Sequence, residues 1–144
     1  MQKCLATEEG FACVNQMVET IKNDIDYKPF LWKSALNYYT AYMAKNMSFV
    51  ELFQDIEKYT ESNSELRWKY VLRVKRGLND TAQKGGLYKD AVYLEGAVKV
   101  LQRRKTLNIM GLFCGKISLR DLTRRSEILN YNGLLLPPFL NDMD

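Results

Sequence analysis

Two adjacent carboxylates, Glu8 and Glu9, are the first residues along the sequence that could do chemistry. They lie in the segment Thr-Glu-Glu-Gly-Phe-Ala at residues 7–12. Acidic side chains in the first turn of a helix complement the positive end of the helix dipole, and this is the commoner role of such a pair. A glutamate oxygen is also an ordinary zinc ligand, so one of the two could hold a metal ion. The segment by itself leaves both interpretations open.

A second group of polar residues lies between residues 73 and 96, where cations, hydroxyls and glycines are concentrated. The sequence reads Arg-Val-Lys-Arg-Gly at 73–77, contains Gly-Gly at 85–86 and continues as Lys-Asp-Ala-Val-Tyr-Leu-Glu-Gly at 89–96. A helix end, a loop and a new helix start would bring these side chains together. In the alternative interpretation, Arg73 and Arg76 are solvated cations that the dipole favours at a helix end, and Tyr93 is a core residue.

The 144 residues contain no histidine, which excludes several kinds of site from this chain alone. Neither a Ser-His-Asp nor a Cys-His nucleophile can form, and no metal can be held by His from these residues. Cys4, Cys13 and Cys114 lack Cys-x-x-Cys spacing, so neither a zinc knuckle nor a disulfide framework is indicated. The net charge of +4 permits an acidic partner but is too small to indicate a dedicated nucleic-acid binder.

Helical periodicity accounts for almost every segment, so the sequence predicts an all-α fold of about six helices. The predicted helices span residues 8–21, 29–43, 49–56, 64–76, 88–105 and 119–125. Their predicted N-caps include Thr7, Ser48 in a capping box with Glu51, Asn63 or Ser64, and Ser118.

The fourth predicted helix should pack through Trp68, Val71 and Leu72 and end at Gly77. Residues 78–86 have no apolar period, so we expect a loop there. No repeat or linker interrupts the sequence, and a single domain over residues 1–144 is expected.

No apolar run approaches the ~18 residues of a membrane span, and the first residues lack the layout of a signal peptide. The cytoplasm is therefore the expected location.

Taken in order, the motifs resemble one known family. They are Thr-Glu-Glu-Gly-Phe-Ala at 7–12, Met-Ser-Phe-Val-Glu-Leu-Phe at 47–53, Arg-Val-Lys-Arg-Gly at 73–77, Lys-Asp-x-Val-Tyr-Leu-Glu-Gly at 89–96, Arg-Arg-Lys-Thr at 103–106, Gly-Lys-Ile-Ser at 115–118 and Leu-Pro-Pro-Phe at 136–139. In content and order they are similar to the tubulin-tyrosine carboxypeptidase family, and the similarity covers nearly the whole chain.

The resemblance implies a gluzincin-like zinc peptidase that removes a C-terminal residue, a tyrosine in the characterised animal members. In that family two His ligands and a general-base Glu lie in a His-Glu-x-x-x-His helix upstream of the Thr-Glu-Glu-Gly segment. The third ligand corresponds to Glu9, and Gly10 leaves room for close helix packing. Because this chain has no His, we expect it to be the C-terminal part of the catalytic domain, with no zinc bound and no activity on its own.

A carboxypeptidase must hold the free carboxylate of a protein or peptide C-terminus and stabilise an oxyanion. Arg76 and Lys89 are the candidates for binding the carboxylate, and Tyr93 is the candidate for stabilising the oxyanion. A domain without its upstream helix would leave Phe11 and Val14 uncovered. We therefore expect a homo-oligomer or a complex with an upstream segment.

Two other functions remain open. A helical protein-interaction module without catalytic activity would use Tyr38, Tyr39, Tyr42 and the tail 134–140, although core packing is the commoner role of such tyrosines. A weak nucleic-acid binder would use two basic stretches, although a solvated helix face is the commoner role of such stretches and nucleic acid is not an expected partner. The basic residues are Lys99, Arg103, Arg104, Lys105, Arg120, Arg124 and Arg125.

Overall fold

The computed structural model describes residues 2–22 and 31–140, and this part of the chain is helical without any strand. The helices are α1 (Gln2–Lys22), α2 (Trp32–Met43), α3 (Phe49–Asp55), α4 (Ser64–Lys75), α5 (Ala91–Gln102), α6 (Ile109–Leu112) and α7 (Leu119–Arg124). Short 3-10 helices lie between these helices or after the last of them, at Ile56–Tyr59, Tyr88–Asp90, Ser126–Ile128 and Pro138–Leu140. The prediction of an all-α fold is confirmed.

The chain divides into two compact units, which are described separately. The central unit comprises residues 32–91, and the terminal unit comprises residues 1–31 together with 92–144. Among the described residues, no helix is long and apolar enough to cross a membrane.

The central unit is built on α4, against which both α2 and α3 pack. Its core contains Leu36, Ala41, Ala44, Leu52, Ile56, Val71 and Val74. The local signals that begin and end its helices behave as the sequence predicts. Ser48 and Glu51 form a reciprocal capping box at α3, Asn63 caps α4, and Gly77 follows α4 with a φ of 84°, a conformation that glycine adopts without strain.

The buried face of α4 differs from the predicted one. Trp68 and Leu72 are 52% and 46% exposed, so the prediction that they face inward is wrong, although Val71 is fully buried. The buried residues of α4 are Arg67, Val71, Val74 and Lys75. Two of these four are cations, and a search for apolar periodicity passes over cations. The predicted inward face of α4 is therefore rotated away from the face that is buried in the structure.

The terminal unit contains a close crossing of α1 and α5 at two glycines. A Cβ atom on Gly10 would lie 2.1 Å from the carbonyl carbon of Gly96, and a Cβ on Gly96 would lie 1.7 Å from the carbonyl oxygen of Ala6. No other residue fits at either position without moving a helix, because both distances fall far inside van der Waals contact. The close packing predicted at Gly10 is confirmed.

Thr7 does not begin the first helix, because α1 already starts at Gln2. The prediction that Thr7 is its N-cap is therefore wrong. Thr7 lies inside α1, is buried, and its hydroxyl oxygen accepts a hydrogen bond of 3.2 Å from the backbone N–H of Leu119. Leu119 is the first residue of α7, so Thr7 satisfies a free N–H at the start of a different helix.

A second apolar cluster of the terminal unit is formed by Val100, Leu112, Leu119 and Leu122. Phe11 and Val14 are partly buried against it, and the Phe11 ring meets Phe113 edge-on with centroids 4.9 Å apart. The prediction that these two residues are left uncovered is therefore wrong, and they give no argument for self-association.

The fifth helix ends at Gln102 rather than Lys105, and α6, which the sequence pattern did not predict, begins at the N-cap Asn108.

Candidate functional site

The two carboxylates of the Thr-Glu-Glu-Gly segment have different surroundings, because neighbours on a helix point about 100° apart. Glu8 is exposed, lies 3.3 Å from the ammonium of Lys116, and lines an open cleft of about 330 Å³ between α1 and the segment 112–117. Glu9 is half-buried and directly precedes Gly10 at the helix crossing. Only Glu9 combines partial burial with a position at the crossing.

Tyr93 lies on the other helix of the same crossing. It is half-buried on α5, three residues before Gly96. One helical turn spans 3.6 residues, so Tyr93 and Glu9 both lie within one turn of the point where α1 and α5 meet. The structure thus brings these two predicted site residues to one region of the terminal unit.

Arg76 and Lys89 belong to the central unit, and both lie beside Asp90. Arg76 is the C-cap of α4, its side chain is half exposed, and one terminal nitrogen is 3.6 Å from Oδ2 of Asp90. Lys89 directly precedes Asp90 in the 3-10 turn and is exposed. Of the two candidates for binding a carboxylate, Arg76 is therefore already beside a carboxylate of the protein itself, and Lys89 is the sequence neighbour of that carboxylate.

Asp90 and its partner Arg73 were not predicted as site residues. The Asp90 side chain is only 8% exposed, and its Oδ2 accepts a hydrogen bond from Nε of Arg73. The sequence did carry a signal for this arrangement. Arg73 and Arg76 are three residues apart and therefore neighbours on a helix, and an acidic residue at the start of the next helix is their natural partner.

Lys75 is the largest fully buried side chain of the described residues, and it too was not predicted. Its ammonium donates to the backbone carbonyls of Met47, Gln83 and Gly85 at 2.5, 2.9 and 2.8 Å. Burial lowers the pKa of Lys75, and the charge of Glu51 partly opposes this shift. The lysine, the last residue of α4, therefore ties the loop 78–87 to the residue before the N-cap of α3, which no local sequence pattern indicates.

The same loop is held by backbone hydrogen bonds. The N–H of Gly85 donates to the carbonyl of Ala44 and the N–H of Leu87 donates to that of Val74, both at 2.7 Å. The predicted loop is confirmed, but it is anchored along its length rather than free. Arg76 and Lys89, which flank the loop, are consequently attached to a fixed frame.

The described residues do not form a metal site by themselves. No three His, Cys, Asp or Glu side chains of residues 2–22 and 31–140 are grouped as ligands. Glu9 offers one carboxylate, whereas a zinc site needs three or four ligands. Any zinc bound at Glu9 would require ligands from outside these residues.

The residues of the two alternative functions have ordinary structural environments. Tyr39 packs against the core of the central unit and donates a 2.7 Å hydrogen bond to Asp55, while Tyr42 is half exposed with the ammonium of Lys45 5.1 Å from its ring centre. In the tail, Leu135 is 90% exposed. The seven basic residues of α5, α7 and their flanks are exposed to solvent.

Comparison with known proteins identifies similar sequences over nearly the whole chain. The family model described as microtubule-associated tyrosine carboxypeptidase matches residues 39–143. The rat protein named microtubule-associated tyrosine carboxypeptidase 1 is 39% identical over 143 residues, covering 96% of this chain and 28% of the rat protein. A mouse protein named "Putative tyrosine carboxypeptidase MATCAP2" is 40% identical over 137 residues, covering 94% of this chain and 25% of the mouse protein. The chain thus spans about a quarter of the length of the curated relatives it matches.

Proposed function

The chain belongs to the microtubule-associated tyrosine carboxypeptidase family, and we propose that it is the C-terminal part of a catalytic domain that releases a C-terminal residue from a protein or peptide. The observation that carries this proposal is the 39% identity to the rat relative over 96% of the chain. We propose tyrosine as the released residue because the names of the relatives specify it.

Glu9 is proposed as one zinc ligand of the complete enzyme. Its half-buried position at the α1–α5 crossing supports this role, since the two glycines fix the backbone beside it. When bound, zinc polarises a carbonyl and lowers the pKa of a bound water. The remaining ligands and the general base belong to sequence outside these 144 residues, because the chain contains no His. The chain alone is accordingly inactive.

Three side chains are proposed to contact the substrate. Arg76 and Lys89 bind the terminal carboxylate, a role that the clustering of cations around Asp90 supports. Tyr93 stabilises the developing oxyanion through its hydroxyl. Since the rat relative is named as microtubule-associated, we place the protein in the cytoplasm. A homo-oligomer or a complex with an upstream segment stays a prediction, to which the packed Phe11 and Val14 lend no support.

The test compares the 144-residue chain with the upstream-extended protein on a peptide that ends in tyrosine. The extended protein should release free tyrosine, a chelator should abolish the release, and a peptide with an amidated C-terminus should remain intact. The chain alone should release none. Failure of the extended protein to release tyrosine would overturn the proposed activity, and chelator-sensitive release by the chain alone would overturn the proposed division of ligands.

A further inference from the structure

We propose that Asp90 is a positioning residue, which holds the guanidinium of Arg76 in the orientation that receives the carboxylate of a peptide C-terminus. This inference rests on the proposed function, and it adds Asp90 and Arg73 to the residues on which substrate recognition depends.

The geometry of the central unit supports this role. Asp90 is almost completely buried, and one of its oxygens, Oδ2, faces both arginines. Arg73 donates a hydrogen bond to that oxygen, whereas Arg76 approaches it only to 3.6 Å, beyond hydrogen-bond distance. The two arginines therefore share one carboxylate unequally. Arg73 is bonded to it, and Arg76 is held beside it by charge.

This unequal sharing leaves Arg76 able to bind a ligand. Its side chain makes no hydrogen bond within the described residues and is 49% exposed. A guanidinium binds a carboxylate best through two parallel N–H groups, which requires a fixed orientation. An exposed arginine loses substantial rotamer entropy when it is ordered. Since Asp90 already restrains Arg76, part of that cost is met before the ligand binds.

The local charge is also suitable for an anion. Two arginines face the single carboxylate of Asp90, which leaves an excess of positive charge beside it. A carboxylate can therefore add to the cluster without displacing Asp90. The backbone that carries the two arginines is held in place, because Lys75, which directly precedes Arg76, donates hydrogen bonds to three backbone carbonyls.

A positioning role and a pure charge effect predict opposite results when Asp90 is neutralised. Asp90→Asn removes a negative charge beside Arg76, so simple electrostatics predicts that an anion binds more tightly. If Asp90 orients Arg76, the same change frees the guanidinium and binding weakens. The sign of the change in affinity separates the two.

The experiment titrates the 144-residue chain with N-acetyl-L-tyrosine and follows the Nε–H signals of the arginines by NMR. N-acetyl-L-tyrosinamide, which lacks the carboxylate, and inorganic phosphate are titrated in parallel. We expect the carboxylate probe to shift the Arg76 signal, the amide to have no effect, and Asp90→Asn to weaken binding about tenfold. Asp80→Asn, an exposed change of equal charge in the loop, should leave the affinity unchanged.

If Asp90→Asn does not fold, Asp90→Glu carries the test, because it keeps the charge but displaces the carboxylate by one methylene. It should weaken binding of the probe about threefold. Unchanged or tighter binding by either variant, with binding still dependent on Arg76, would overturn the positioning role while leaving the carboxylate site intact. Equal shifts of Arg76 with the amide, or stronger binding of phosphate than of N-acetyl-L-tyrosine, would overturn the assignment of the carboxylate, and with it the role of Asp90.

Discussion

Each of the two units is stabilised internally, and by opposite means. In the central unit, charged side chains are buried in the interior. Lys75 donates to three carbonyls under the loop, and Asp90 is buried against Arg73. In the terminal unit, the closest contact depends on the lack of side chains, because α1 and α5 meet at Gly10 and Gly96.

This difference indicates how each unit fixes its part of the proposed site. Buried ion pairs and hydrogen-bonded cations are costly to assemble, but they fix the orientation of the groups that they bind. A glycine crossing fixes backbone positions, and the half-buried Glu9 and Tyr93 lie on the two helices within one turn of it. The central unit thus orients side chains, and the terminal unit positions backbone.

The largest effect is expected from Lys75→Met, which removes the donor shared by three backbone carbonyls. At about 1 kcal/mol for each lost hydrogen bond, the free energy of unfolding should fall by about 3 kcal/mol. Hydrogen exchange should rise in peptides from residues 78–87 before it rises in the terminal unit. Urea unfolding monitored by circular dichroism gives the first quantity, and mass spectrometry gives the second.

Lys69→Met is the matched control on the same helix. Lys69 is exposed and pairs only with exposed Glu65, so the loss should stay below about 0.5 kcal/mol. A loss of stability for Lys75→Met as small as that of the control would mean that the buried ammonium does not hold the loop.

The next effect concerns two glycine-to-alanine changes that act for different reasons. Gly10→Ala places a methyl group 2.1 Å from the backbone of Gly96, which forces the helices apart and should cost about 2 kcal/mol or more. Gly77→Ala meets no neighbouring atom but must adopt a φ of 84°, which should cost about 1 kcal/mol. Thermal unfolding of both variants gives the ranking, and a larger loss at Gly77 would show that α1 and α5 do not cross so closely.

The smallest effect is a dependence on acidic pH. The backbone N–H and then the hydroxyl of Ser48 lower the pKa of Glu51, and the hydrogen bond from Lys69 lowers that of Glu65; both residues lie in the central unit. A carboxyl whose pKa is lower in the folded state contributes stability above its unfolded pKa, and that stability is lost as the pH falls through the folded value. Glu51→Gln should therefore make the stability of the protein less dependent on pH below about 4.5.

Glu127→Gln, in the terminal unit, serves as the comparison for this titration. Glu127 is exposed, so this variant controls for the loss of one surface carboxylate. If Glu51→Gln and Glu127→Gln give the same profile, the capping box adds no measurable dependence on pH.

The sequence predicted what depends on neighbouring residues. Ser48 with Glu51, Asn63, Ser118 and Gly77 all act at helix ends within a few residues, and the structure confirms each. Contacts between residues far apart in the sequence could not be predicted in this way. Thr7 is 112 positions from the Leu119 N–H that it caps. A threonine is a favourable N-cap residue for any helix, so the local sequence does not show that Thr7 caps α7 rather than α1.

The candidate site shows the same limit. The cations around residue 90 were visible as a group, but the pairing of Arg73 with Asp90 and the burial of Lys75 depend on where α4 meets the loop and the following turn. A search for apolar periodicity assigns cations to the surface, which also explains the misplaced Trp68 and Leu72. Glu9 was singled out by resemblance to a family, and the crossing beside it became apparent only in three dimensions.

The most direct test of the account compares Glu9→Gln with Glu8→Gln in the upstream-extended protein, measuring bound zinc and release of a C-terminal tyrosine. Glutamine keeps the shape of Glu9 but loses the anionic oxygen that zinc prefers, so both zinc content and release should collapse. Glu8→Gln should have a mild effect, since Glu8 is exposed and pairs only with exposed Lys116. Small and equal effects of the two changes would remove Glu9 from the metal site, and a larger loss with Glu8→Gln would assign the ligand to Glu8 instead.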